Sequence, residues 1–169
     1  SDASPTLDID RHDGVWVWYH GGDGTARARR STDLGATWQA AASKAGLTFP
    51  RAIRREGDLV VAGYTGAGLT VYVSTDDGAT LTVAAEVAGA PEQCPALAVD
   101  RHGTAHLVWR DGGGDLRHAW ATDPSAWSDP PDNWGPGSLP VLAIGEGATY
   151  LAYWDAPARC VARVAEAWG

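Results

Sequence analysis

Apolar residues in this chain come in short runs, and a turn cuts each run. Val15-Trp16-Val17-Trp18, Leu59-Val60-Val61-Ala62, Val71-Tyr72-Val73 and Leu107-Val108-Trp109 are runs of strand-favouring residues. Gly- and Asp-rich breaks separate them, at residues 21–24, 56–58, 65–68, 111–115 and 145–147. β-branched and aromatic residues in runs this short, bounded by turn formers, predict strands joined as hairpins rather than helices. The predicted strands fall into four groups. The first holds 7–10, 15–18 and 25–31, and the second 52–55, 59–64, 69–74 and 81–87. The third holds 97–100, 104–109 and 116–122, and the fourth 141–144, 149–154 and 159–165.

The groups repeat. Leu7-Asp8-Ile9-Asp10-Arg11-His12 is echoed by Leu97-Ala98-Val99-Asp100-Arg101-His102, and each leads through a turn into a Trp-containing strand. Ser31-Thr32-Asp33-Leu34-Gly35-Ala36-Thr37-Trp38 returns 43 residues later as Ser74-Thr75-Asp76-Asp77-Gly78-Ala79-Thr80-Leu81, with six of eight positions identical. A remnant stands at Thr122-Asp123-Pro124-Ser125-Ala126-Trp127, where the Gly is lost and Trp127 takes the place of Trp38. Units of roughly 40–47 residues, each with three or four short antiparallel strands, have the period of propeller blades. A single blade cannot bury both of its faces, so neighbours bury each other's. The chain therefore reads as one all-β domain over residues 1–169, a small β-propeller of about four antiparallel blades at 5–46, 47–90, 94–138 and 139–169. The Pro-rich stretch 128–140 reads as a long loop, and the fourth unit ends before a fourth strand.

The turn sequence S-x-D-x-G-x-T-W resembles the Asp-box, or BNR, repeat found in sialidases and in many non-enzymatic propellers. In this resemblance Ser31, Asp33, Gly35, Thr37, Trp38, Ser74, Asp76, Gly78 and Thr80 are structural. Asp accepts N–H bonds within the turn, Gly takes a positive φ, Thr re-enters a strand and Trp packs beneath. The boxes of that family lie away from its active site. A sialidase-like enzyme would further need an arginine cluster, a Tyr/Glu nucleophile pair, an Asp acid/base and about six blades. Phe49-Pro50-Arg51-Ala52-Ile53 holds the ingredients of the family's F-R-I-P motif in scrambled order, and after the first box instead of before it. Arg51 therefore reads as a strand-start residue, kept as a candidate anion contact.

Composition narrows the function. The net charge of -8 argues against nucleic-acid binding, which needs a basic footprint. The basic clusters at 27–30 and 51–55 read as solvated strand faces. No run reaches the roughly 18–20 apolar residues of a membrane span. Cys94 and Cys160 could meet across neighbouring repeats, with two thiols as the default, and neither has metal-ligand spacing. Asp8, Asp10 and Asp13 lack the further ligands of an EF-hand loop, and His20, His106 and His118 show no ligand spacing, so no metal or cofactor is expected.

Nine tryptophans are the best hint of binding. Trp120, Trp127, Trp134 and Trp154, with Tyr19, Tyr64 and Tyr153, exceed what a small core needs, and aromatic faces stack on sugars or anchor protein interfaces. The expected function is a non-catalytic module that binds a surface glycan or a partner protein, with a homo-oligomer or larger assembly as its setting. The alternative is a sialidase-like glycoside hydrolase fragment. The absence of a charged start followed by an apolar core, with Ser1 after a removed initiator Met, points to a virion component released by lysis. Ser1 as the start of a mature product points to an extracellular protein.

Overall fold

The computed structural model describes residues 5–10, 12–55, 57–66, 68–87, 93–128, 131–145, 148–155 and 159–166, with the backbone alone at 148–149, 155 and 159–166. Among these residues every regular element is a β-strand, and there is no helix that could cross a membrane. The fifteen strands form four antiparallel sheets in chain order. Sheet one holds β1 (Thr6–Ile9), β2 (Val15–His20), β3 (Thr25–Ser31) and β4 (Gln39–Ala45). Sheet two holds β5 (Thr48–Arg55), β6 (Asp58–Thr65), β7 (Gly68–Ser74) and β8 (Thr82–Val87). Sheet three holds β9 (Ala96–Val99), β10 (Ala105–Arg110), β11 (Asp115–Ala121) and β12 (Asp132–Pro136). Sheet four holds three strands, β13 (Ser138–Ile144), β14 (Ala148–Asp155) and β15 (Arg159–Glu166). Every pairing joins strands that are consecutive in sequence.

The stretch 128–140 is not a long loop. β12 occupies Asp132–Pro136 and pairs with β11 across a bulge between Leu116 and Arg117. Its prolines and glycine hid it. An edge strand tolerates Pro because one side of its backbone needs no ladder partner, and Gly135 takes φ 85° at the bulge.

The core lies between the sheets. Trp16, Trp18, Ala26 and Ala28 of sheet one meet Ala52, Leu59, Val61 and Tyr72 of sheet two. The opposite face of sheet two, with Val60, Ala62, Tyr64, Leu69 and Val71, meets Leu107, Trp109 and Ala119 of sheet three. Val108 and Leu116 of sheet three then meet Leu151 and Tyr153 of sheet four. The alternation of side chains in each second strand accounts for this: odd and even positions point to different neighbours. The first strands β1, β5, β9 and β13 follow one another side by side and line the inside of the arc. Packing joins sheet one to two, two to three and three to four; among the described residues, none of that extent joins four to one.

The basic cluster at 51–55 is not a solvated face. Arg54 reaches sheet one, where its Nε lies 3.2 Å from Asp8 and its guanidinium carbon 5.0 Å from the centre of the Trp16 ring. It also bonds Asp77 at 2.7 Å. Arg55 turns the other way and donates to the carbonyls of Gly103 and Thr122, in the connections that follow β9 and β11 of sheet three. A guanidinium offers several donors in a planar fork and stacks on aromatic rings, so it can join two sheets where an ammonium would satisfy one. Cys94 is buried; the side chain of Cys160, and so the pairing of the two, lies outside the described residues.

Candidate functional site

The two repeated turns have the same hydrogen-bond pattern. Ser31 Oγ donates to Asp33 Oδ1 (2.7 Å) and accepts from Gly35 N–H (2.8 Å). Asp33 accepts from Thr37 N–H (2.8 Å) and from the Thr37 hydroxyl (2.6 Å). Ser74, Asp76, Gly78 and Thr80 reproduce these contacts at 2.7–2.9 Å. In both turns the Thr37 or Thr80 hydroxyl, its N–H and the serine hydroxyl hold the carboxylate at a pKa of about 2. Each Asp has its oxygens committed to its own turn. Trp38 Nε1 donates to the Gly35 carbonyl at 3.0 Å, and Trp127 Nε1 makes the matching bond to Pro124 at 2.8 Å.

Gly35 and Gly78 take positive φ (91° and 88°), and so do the residues before them, Leu34 and Asp77 (both 56°). Leu34 is 89% exposed, so its side chain packs on little while its backbone sits in the left-handed region. That region costs an ordinary L-residue roughly 1–2 kcal/mol, and Asn tolerates it better. Leu34→Asn is expected to stabilise the protein by about 0.5–1 kcal/mol, read as a rise in thermal midpoint.

A second turn motif is shared by sheets one and three. Asp10 Oδ1 accepts from the N–H of His12 (2.9 Å) and Gly14 (2.8 Å). Its Oδ2 accepts from Trp16 Nε1 (2.8 Å) and Arg30 (2.7 Å). Asp100 accepts from the N–H of His102 and Thr104, both at 2.8 Å, with His106 Nε2 3.5 Å from its other oxygen. Trp16 and His106 hold the same place, six residues after the aspartate.

A third feature escaped the sequence reading. Pro5, Pro50, Pro95 and Pro140 are spaced by 45 residues; Pro5 and Pro95 directly precede a first strand, and Pro50 and Pro140 are the third residues of theirs. Sequence self-comparison at that period would have found them. Arg51 follows the second of these prolines. Its Nε donates to the Pro95 carbonyl (3.0 Å) and its Nη1 to Thr6 Oγ1 (3.2 Å), while Thr6 Oγ1 donates to the Pro50 carbonyl (3.1 Å). Arg51 thus ties the starts of β1, β5 and β9 together.

The candidate tryptophans are not one site. Trp134 is partly buried and stacks on His118 with ring centroids 4.4 Å apart. Tyr64 and Tyr153 are buried between sheets. Trp120 and Trp154 are 42% and 46% exposed on different sheets. Trp127 packs against the core between sheets two and three and also lines a cleft of about 300 Å³ with Glu86, Ser125 and Ser128. On the other side of Ser125 a second hollow of about 360 Å³ is walled by Thr80, Val83 and Asp123. The first cleft sets an indole plate beside a carboxylate and two hydroxyls, a wall that offers apolar stacking and polar contacts together.

His106 and His118 form a buried pair that spacing did not reveal. They are twelve residues apart, and the register of β10 on β11 brings Nδ1 of one within 3.2 Å of Nε2 of the other. The rings stack at 5.5 Å, and His118 Nδ1 is 3.4 Å from Asp132. Burial pushes both pKa values down, against the pull of Asp100 on His106 and of Asp132 on His118. Among the described residues no three His, Cys, Asp or Glu side chains gather as a metal site.

Neither a protein-family model nor a curated protein matches this chain. Solved structures do. A protein of unknown function from Dyadobacter fermentans aligns with a TM-score of 0.75 at 17% identity, over 96% of this chain and 60% of its own. Trypanosoma rangeli sialidase in complex with the inhibitor DANA aligns at 0.67 and 15%, over 92% of this chain and 30% of its own. The fold is a β-propeller. The SapL1 lectin in complex with alpha methyl fucoside aligns at 0.67 and 13%, over 97% of this chain and 65% of the lectin. The chain thus spans less than two thirds of the length of each of these three proteins. At these identities the likeness is one of fold, and the four sheets are its blades.

Proposed function

We propose that this protein is a carbohydrate-binding propeller module that holds a saccharide without cleaving it. The observation that carries this reading is the cleft between blades two and three, where Trp127 stands beside Glu86, Ser125 and Ser128. A pyranose has an apolar face and an equatorial rim of hydroxyls. The indole suits the face, and the carboxylate and serine hydroxyls suit the rim. The structural neighbours include a sialidase and a lectin in complex with alpha methyl fucoside, which favours a saccharide over other ligands. The Ser31–Trp38 and Ser74–Leu81 turns act as Asp boxes in this reading, since their carboxylates are consumed by their own turns. Arg51, with its bonds to Pro95 and Thr6, serves the framework of the arc.

A glycan-array screen followed by calorimetric titration of the best ligand tests the proposal. Binding is expected to fall about tenfold or more in Trp127→Ala, as for other truncated aromatic anchors. Because Trp127 also packs on the core, Glu86→Gln at an exposed position serves as a second variant and is expected to weaken binding without loss of fold. Absence of any glycan ligand would overturn the proposal. Steady release of sugar from a sialoside or other glycoside would overturn its non-catalytic part.

A further inference from the structure

The residue after each repeating proline marks equivalent positions in the second strands. Thr6 pairs with Trp18, Arg51 with Ala62, Ala96 with Val108 and Val141 with Ala152. Counting from these pairs gives the face that each residue presents. Two residues earlier stand Trp16, Val60, His106 and Tyr150, on the face toward the following blade. The first three are buried at 2%, 0% and 1%, whereas Tyr150 is 46% exposed. Trp154 on the same face of blade four is also 46% exposed, while its counterpart Tyr64 is 3% exposed. The opposite face, toward the preceding blade, shows the converse. Val61, Leu107 and Leu151 are fully buried, but Val17 of blade one is half-buried. Beside Val17 on that face, Leu7 and Ile9 are 70% and 63% exposed. The two ends of the arc therefore carry the residues of blade joints with no blade against them among the described residues.

We propose that these two faces are one interface: blade four of one copy docks on blade one of a second copy, head to tail. The joints inside the chain show what such a face takes, since each is a following-type face set against a preceding-type face. At the joint of blades two and three, Tyr64 and Trp109 lie in one apolar cluster. At the joint between copies the corresponding residues are Trp154 and Tyr19. The preceding-type face of blade one also carries Arg27 and Arg29, which pair with Tyr19 and Val17 across the strands. Guanidinium groups stack on aromatic rings, so Tyr150 and Trp154 are suited to pack against Arg27 and Arg29. The joint is heterologous, and it produces closed rings or open chains according to the curvature of the arc.

Light scattering across a concentration series tests this on the chain of 17.7 kDa. The unmodified protein is expected to show masses above the monomer. Ile9→Asp removes one face and Tyr150→Asp the other, so each variant alone is expected to run as a monomer. An equimolar mixture of the two retains one intact joint and is expected to form dimers. Leu7→Asp and Trp154→Asp should behave in the same way. All four positions are exposed, and circular dichroism checks that the variants stay folded. The proposal is overturned by a monomer at every concentration, which would leave the faces to another polypeptide. An oligomer indifferent to both substitutions, or a mixture that stays monomeric, overturns it equally.

Discussion

Asp10→Ala is expected to lower the unfolding free energy by about 3–5 kcal/mol, the largest effect of any single polar substitution among the described residues. The carboxylate is 4% exposed and accepts from Arg30, the Trp16 indole and the N–H groups of Gly14 and His12. Burial alone would raise its pKa, but the bonds from Arg30, Trp16, Gly14 and His12 outweigh it and hold the carboxyl well below the usual range. Removing it leaves a buried indole N–H and two turn N–H groups without an acceptor, each costing roughly 1–3 kcal/mol where water cannot reach. Arg30 is partly exposed and can rehydrate, so its loss adds less than that of a fully buried ion pair. Gly14 closes the site from the other side: a Cβ there would stand 2.4 Å from Asp10 Oδ2. Urea unfolding followed by circular dichroism measures the change. Asp100→Ala, which removes an acceptor from two N–H groups and from His106 but has no arginine partner like Arg30 among the described residues, is the smaller comparison. Equal losses at the two sites would refute this account.

Stability is also expected to fall early on acidification, from about pH 6.5 downward. His106 and His118 have folded-state pKa values below that of a free imidazole, first because burial disfavours the charged ring. They share a contact in which one nitrogen donates and the other accepts, so protonating both breaks it. With the folded pKa depressed, the unfolded chain binds more protons, and stability rises with pH up to the unfolded value near 6.5. Each imidazole then contributes up to about 1.4 kcal/mol per pH unit as pH falls below that value. The depressed aspartates Asp10, Asp33 and Asp76 add a second loss, beginning near pH 4. Midpoints measured from pH 8 to 3 should show both phases, and the double variant His106→Gln/His118→Gln should abolish the first alone. A flat profile between pH 6.5 and 4.5 in the unmodified protein would count against the buried neutral pair.

The architecture was legible because its signals are local. The 43-residue return of Ser31-Thr32-Asp33 and the short apolar runs depend on turn chemistry and side-chain alternation, which the sequence states directly. The cross-strand facts were less accessible. His106 and His118 meet through a register, Arg54 and Arg55 through the approach of neighbouring sheets, and neither is encoded in a spacing. Trp134 and Tyr64 looked like surplus aromatics because their partners, His118 and the Trp109 cluster, stand in other strands or sheets. β12 was hidden for the opposite reason: Pro131, Gly135 and Pro136 are loop formers locally, and only an edge position with a bulge accommodates them. Of the candidate binding residues, Trp127 sits in a cleft wall, and the carboxylate and hydroxyls beside it come from β8 and from the turn after β11, which no linear motif connects.

Because every strand pairs only with its neighbour in sequence, the chain's connectivity is that of a string of hairpins. Among the described residues no late segment threads back to complete an early sheet. Contacts are correspondingly local for an all-β protein, a topology that favours fast folding and lets each hairpin form as it emerges during synthesis. The same wiring makes the 45-residue unit a removable part. Deleting or duplicating a whole unit between two of the repeating prolines changes how far the arc extends and leaves every other strand pairing as it was.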